Sequence, residues 1–135
     1  MMIILEFQIN VFNFIFTYIF SFRFPYLDTL KIQEKFGPGV HFLGNGTKEE
    51  LDFLEYDILT KEKISAVYCE FPSNPLLKSA DVQRLRQLAD EYGFLFIIDE
   101  TVGNFVNVQV LEECDIIASS LTKIFSGDSN VMGGR

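Results

Sequence analysis

Five consecutive apolar residues, Phe94-Leu95-Phe96-Ile97-Ile98, follow a stretch of helical periodicity and directly precede Asp99-Glu100-Thr101. A strand that is apolar at every position has no face to offer water, so it belongs in a sheet covered on both sides, as parallel sheets are. The stretch before it carries Val82, Leu85, Leu88, Ala89 and Tyr92 on one helical face, with Ser79 placed to cap its start and Gly93 to close it. A second compact run, Ile64 to Glu70, is rich in β-branched and aromatic residues and ends at the turn-forming Pro72-Ser73-Asn74-Pro75. A third strand spans Asp115 to Ser120. Upstream, Asp28 to Phe36 reads as a short helix ended by Gly37-Pro38-Gly39. Thr47-Lys48-Glu49-Glu50 is a capping box that opens an amphipathic run through Leu51, Leu54 and Ile58. Strands alternating with helices in this way predict an α/β fold with a mainly parallel sheet.

The opening segment follows a different rule. Residues 1 to 27 hold seven of the fifteen phenylalanines and only two charges, Glu6 and Arg23. The uncharged stretch from Phe7 to Phe22 is 16 residues long and includes Gln8, Asn10 and Asn13. A spanning helix needs about 20 mostly apolar residues, so no membrane anchor is expected. The start also lacks the Lys or Arg of a secretory signal. Phe, Ile, Val and Tyr favour pleated surfaces, and the segment reads as a buried β element. The change of composition near Phe24-Pro25 divides the chain into an atypical Phe/Ile-rich leader, 1–23, and an organised part, 24–135.

Composition excludes several classes of function. A net charge of -8, from 19 acidic and 11 basic side chains, disfavours a nucleic-acid partner. With 48% hydrophobic and 22% charged residues, the chain has the material for a packed core and is not a disordered tail. Cys69 and Cys114 stand in neither CxxC nor Cys/His spacing, so neither a metal site nor a disulfide framework is signalled, and reduced thiols in a cytoplasmic protein are expected.

Open α/β sheets bind ligands beyond the carboxyl ends of their strands. The residues there are Glu70-Phe71-Pro72-Ser73-Asn74-Pro75, Asp99-Glu100-Thr101 and Ser120-Leu121-Thr122-Lys123. A lysine and a carboxylate on neighbouring strand ends suit pyridoxal phosphate chemistry, in which the amine forms a Schiff base and the carboxylate keeps the ring nitrogen protonated. Lys123 and Asp99 fill those roles. Ser120 and Thr122 offer hydroxyls to a phosphate, and Asn74 can donate to the ring oxygen or a substrate carboxylate. Taken singly, each residue has a plainer use: Asp99 as a turn former, Lys123 as a solvated surface lysine, Ser120 and Thr122 as turn or cap residues. The group favours the catalytic reading, because Lys123 lies between Ile116–Leu121 and Ile124-Phe125 and precedes a glycine-rich stretch from Ser126 to Gly134.

From about Phe24 to Gly134 these motifs resemble the Cys/Met-metabolism family of pyridoxal-phosphate enzymes, the group of cystathionine γ-synthase, cystathionine γ-lyase and the homoserine sulfhydrylases. The resemblance is strongest to the fungal cystathionine γ-synthase-like branch. It implies part of a fold-type-I large domain, like that of aspartate aminotransferase. By resemblance, Lys123 is the Schiff-base lysine and general acid/base, Asp99 the partner of the ring nitrogen, Ser120 and Thr122 phosphate ligands, and Asn74 a contact near the ring oxygen. Tyr26 falls at the ring-stacking tyrosine, in a motif reading Tyr26-Leu27-Asp28-Thr29 where the family has Tyr-Gly-Gly-Thr. The implied reaction is γ-replacement, in which the acyl group of an activated homoserine leaves and cysteine or another sulfur donor adds. The substrates are small amino acids, and the family works as homo-oligomers. Nothing in residues 1–23 resembles the family's phosphate loop, and its small C-terminal domain has no counterpart before Arg135. The expectation is therefore the central part of a large domain without the C-terminal domain. The competing reading is an inactive remnant, or an interaction module that pairs with a full-length paralogue.

Overall fold

The computed structural model describes residues 19–22, 25–37 and 39–134. Its strands are β1 (Ile19–Phe22), β2 (Val40–Leu43), β3 (Ala66–Glu70), β4 (Leu95–Asp99) and β5 (Ile116–Ala118). The helices are α1 (Leu27–Phe36), α2 (Lys48–Phe53), which runs on into a π-helical stretch Leu54–Leu59, α3 (Val82–Tyr92) and the single turn α4 (Asn104–Asn107). A second π-helical turn, Leu121–Phe125, follows β5. All four strand pairings are parallel, in the order β2-β1-β3-β4-β5.

Alternation along the strands divides the core. Phe20, Phe22, Val67, Cys69, Phe96 and Ile98 meet Leu51, Leu54 and Leu59 of α2 and its extension, and Leu85, Leu88 and Ala89 of α3. Ala66, Tyr68 and Ile97 pack on the opposite face with Ile116. Each large side chain buried in this way contributes about 1.5–3 kcal/mol. The chain moves one way from β1 to β2, then back across β1 to β3. Right-handed crossovers place the connections of these two steps on opposite faces. Accordingly α1 shares a cleft with Tyr68, while α2 and α3 cover the Phe20 face. The connections that leave β1 and β3 thus run to opposite faces of the sheet, a switch point of the kind where α/β sheets open a crevice.

Several sequence expectations hold in detail. The Thr47 hydroxyl accepts from Glu50 N at 3.3 Å, so the expected cap forms at the start of α2, while the Glu50 carboxylate reaches back past the cap to Gly46 N at 2.5 Å. Gly93 closes α3 at φ 73°, a left-handed conformation in which a Cβ is costly.

Others are corrected or extended. The cap of α3 is Asp81, whose Oδ1 accepts from Arg84 N at 3.0 Å; Ser79 lies too far upstream to reach the first free amides. In the run after α2, Ile58 packs half-buried against the core as expected, and Leu59 is buried there as well. A π-helix bonds i to i+5, which brings Leu59 under the face already held by Leu54. Strand β2, with His41 and Phe42 exposed at the sheet edge, has no strong apolar signal and was not expected. Ile19–Phe22 lie on the leader side of the expected division at residues 23 and 24, yet all four are buried and form an interior strand of the sheet. The β reading of this segment therefore applies to its four described residues, and residues 1–18 lie outside those described. Among the described residues, no helix is long and apolar enough to cross a membrane.

Candidate active site

Strand register sets the floor of the site. Glu70 pairs with Asp99, and Asp99 with Ala118, so the last residues of β3, β4 and β5 stand at one level. Above them opens a cleft of about 270 Å³. All six residues singled out from the sequence line it: Tyr26, Asn74, Asp99, Ser120, Thr122 and Lys123. Asp28, Thr29, Tyr68, Glu70 and Thr101 line it as well.

Asp99 is held from two sides. The Tyr68 hydroxyl donates to its Oδ2 at 2.9 Å and the Thr101 amide to its Oδ1 at 2.8 Å. Burial pushes the Tyr68 phenol well above its ordinary range, and the charge and hydrogen bond of Asp99 push it the same way. Tyr68 therefore remains a hydrogen-bond donor. Glu70 is 6% exposed and ties two loops together: its Oε1 accepts from Tyr26 N at 2.6 Å and its Oε2 from Asn74 N at 3.3 Å. Burial raises the Glu70 carboxyl above the usual carboxylate range; the Tyr26 amide opposes this, and the nearby Asp99 charge adds to it.

The lysine turn is anchored to the same frame. Ser120 N donates to the Thr101 hydroxyl at 2.8 Å, fixing the start of the turn to the end of β4. The backbone leaves helical geometry at Lys123, with φ −83° and ψ −105°, and Lys123 is exposed at the cleft. The glycine-rich stretch doubles back over it. Leu121 N donates to Gly133 O at 3.0 Å, Gly133 N to the Thr122 hydroxyl at 3.4 Å, and Ser120 forms an antiparallel bridge with Gly134. This return brings Met132 to the cleft wall.

Sequence reasoning missed Tyr68 and gave Glu70 and Thr101 no role. Tyr68 lies within an apolar strand and reads as core; the only hint was that a buried phenol needs a partner. Among the described residues, no group of three or more His, Cys, Asp or Glu side chains is placed to hold a metal ion.

The donor set fits pyridoxal phosphate by its chemistry. A ring nitrogen calls for a carboxylate, which Asp99 provides with its charge buttressed by two donors. An aldehyde calls for an amine, which Lys123 provides, and a phosphate calls for hydroxyl donors, which the Ser120 and Thr122 side chains carry.

Comparison with known proteins agrees. The family pattern of the Cys/Met metabolism PLP-dependent enzymes matches residues 31–135. A cystathionine gamma-synthase of Neurospora crassa is 57% identical over 115 residues, covering 84% of this chain and 18% of that protein. A cystathionine gamma-synthase of Saccharomyces cerevisiae is 54% identical over 113 residues, again 84% of this chain and 18% of that protein. The chain thus spans under a fifth of the length of these two relatives. The crystal structure of metB from Corynebacterium glutamicum superposes with a TM-score of 0.82 at 20% identity, over 98% of this chain and 34% of that one, which supports the fold. With the fold-type-I α/β architecture in place and the family pattern extending from α1 through the lysine turn, the chain belongs to the Cys/Met metabolism family of PLP-dependent enzymes.

Proposed function

We propose that this chain forms part of the cofactor cleft of a cystathionine γ-synthase-type enzyme, one that replaces the acyl group of an O-acylhomoserine with cysteine or another sulfur donor. The observation that carries this reading is the convergence of Lys123, Asp99, Asn74, Ser120, Thr122 and Tyr26 on one cleft in a chain 57% identical to a cystathionine gamma-synthase. Pyridoxal phosphate, when bound, supplies an electron sink that stabilises negative charge at the substrate α-carbon. Asp99 would hold the ring nitrogen in its protonated form. Ser120 and Thr122 would hold the phosphate, Asn74 would donate to the ring oxygen or the substrate carboxylate, and Tyr26 would lie against the ring. The Lys123 amine would move protons at the substrate Cα and Cβ, taking one from each so that the acyl group leaves Cγ, and returning one to each once the sulfur donor has added there, the general acid/base work of γ-replacement. The substrates are small amino acids handled in the cytoplasm by a homo-oligomer, and neither a membrane nor a nucleic acid takes part.

Borohydride reduction of the purified chain with pyridoxal phosphate, followed by peptide mass mapping, tests the assignment. The expected outcome is a pyridoxyl label on Lys123 that disappears in Lys123→Ala and persists in Asp99→Ala. A label scattered over several lysines, or one retained in Lys123→Ala, sinks it.

A further inference from the structure

Tyr68 lies in the middle of β3 and is 1% exposed, in a cluster whose other members, Ala66, Ile97 and Ile116, are hydrocarbon. Phenylalanine would fill the same space. A buried hydroxyl left unpaired costs about 1–3 kcal/mol, so the choice of tyrosine is explained by what its hydroxyl meets. It donates to the Asp99 carboxylate, at 2.9 Å, and the Thr29 hydroxyl also bonds to it. Tyr68 pairs in register with Ile97, and Asp99 is two residues further along β4, the diagonal neighbour that a long aromatic side chain reaches. With Thr101 N on Oδ1, each carboxylate oxygen receives one donor from the protein. Each oxygen has two lone pairs, so one on each remains for a ligand in the cleft that Asp99 lines.

We propose that Tyr68 is a positioning residue for Asp99, fixing the rotation of its carboxylate so that the remaining lone pairs are presented to the ring nitrogen of the cofactor. This inference rests on the pyridoxal phosphate reading above. Free rotation of an aspartate about its terminal torsion is broad, and one amide donor leaves the second oxygen unrestrained. The tyrosine hydroxyl, held on a sheet interior, supplies the second restraint from a rigid element. Because Thr101 also accepts from Ser120 N, the same set links Asp99 to the first residue of the lysine turn.

Tyr68→Phe keeps the ring and deletes the hydroxyl. Its expected effects are a dissociation constant for pyridoxal phosphate raised on the order of tenfold, the loss expected for one hydrogen bond to a charged group. The pH midpoint of the bound cofactor's visible absorption is expected to move by about one unit. A residue that only packs predicts neither change. Cofactor affinity and absorption profile equal to wild type in Tyr68→Phe overturn the proposal while leaving the cofactor reading intact. A wild-type chain that captures no pyridoxal phosphate overturns both. If Tyr68→Phe does not fold, tyrosine-labelled wild-type protein gives a second measurement by nuclear magnetic resonance. The Tyr68 hydroxyl proton is expected to be protected from exchange and to shift when pyridoxal phosphate is added, and an unprotected or unshifted proton overturns the proposal.

Discussion

Glu70 joins segments that are far apart in sequence: its two oxygens hold the backbone amides of Tyr26 and Asn74, and the first of these bonds spans 44 residues. A glutamine has only one oxygen acceptor, so Glu70→Gln is expected to release one of the two loops and weaken pyridoxal phosphate binding several-fold, read by fluorescence titration. Glu70 also leaves a mark on stability. Its carboxyl is raised by burial, so the folded chain binds this proton more tightly than the unfolded chain. The contribution is therefore full below the unfolded value, near 4.5, and is lost as pH rises through the higher folded value. Urea unfolding from pH 4.5 upward is expected to show that decline in the wild type and a flatter profile in Glu70→Gln; identical profiles would refute it. At this scale the sequence disclosed residues whose chemistry is unusual where they stand. Asp99 and Lys123 are ionisable groups at the ends of apolar runs, and they were legible. Tyr68 and Glu70 were not, because a tyrosine within a strand and an acid before a proline turn both have ordinary uses, and only their partners separate the cases.

Helix α3 shows what is legible at the level of elements and where it blurs. Its apolar face was read correctly, since Leu85, Leu88 and Ala89 are buried and Val82 and Tyr92 pack beside them. Its start was misplaced, because Ser79 and Asp81 are both good caps and the choice depends on where the chain first turns helical. The bond from Arg84 N to Asp81 Oδ1 decides it. Asp81→Ala is expected to destabilise the fold by about 1 kcal/mol, and Ser79→Ala to leave the urea midpoint unchanged. A larger loss in Ser79→Ala would reverse the assignment. The π-helical stretch after α2 was illegible for a related reason. Leu54, Ile58 and Leu59 satisfy an α period and a π period almost equally well, and the packing against the sheet selects Leu59.

On the scale of the whole molecule, the cleft is assembled from the start of α1, the ends of β3, β4 and β5, and the stretch that returns to Gly134. No one of these segments carries the whole set of lining side chains, so ligand binding there and folding are expected to be coupled. Pyridoxal phosphate at a hundredfold excess over its dissociation constant is expected to stabilise the folded chain by about 2.7 kcal/mol. That is read as a rise in melting temperature with cofactor concentration, reduced in Lys123→Ala. An unchanged melting temperature would contradict a cleft that exists only in the folded state.

The alternation of apolar strands with amphipathic helices, the Thr47 cap of α2, and the reactive side chains at the strand ends follow from local chemistry, so the sequence by itself determined the α/β class and the candidate residues. Only the tertiary structure decided the strand order, the place of Ile19–Phe22 inside the sheet, the common level of Glu70, Asp99 and Ala118, and the reach of Tyr68 to Asp99. The physical reason is that a period of two tells each residue which face it occupies but not which strand lies beside it or in what register. Those depend on pairings between segments tens of residues apart, and the fit of whole helices on both faces of the sheet selects them.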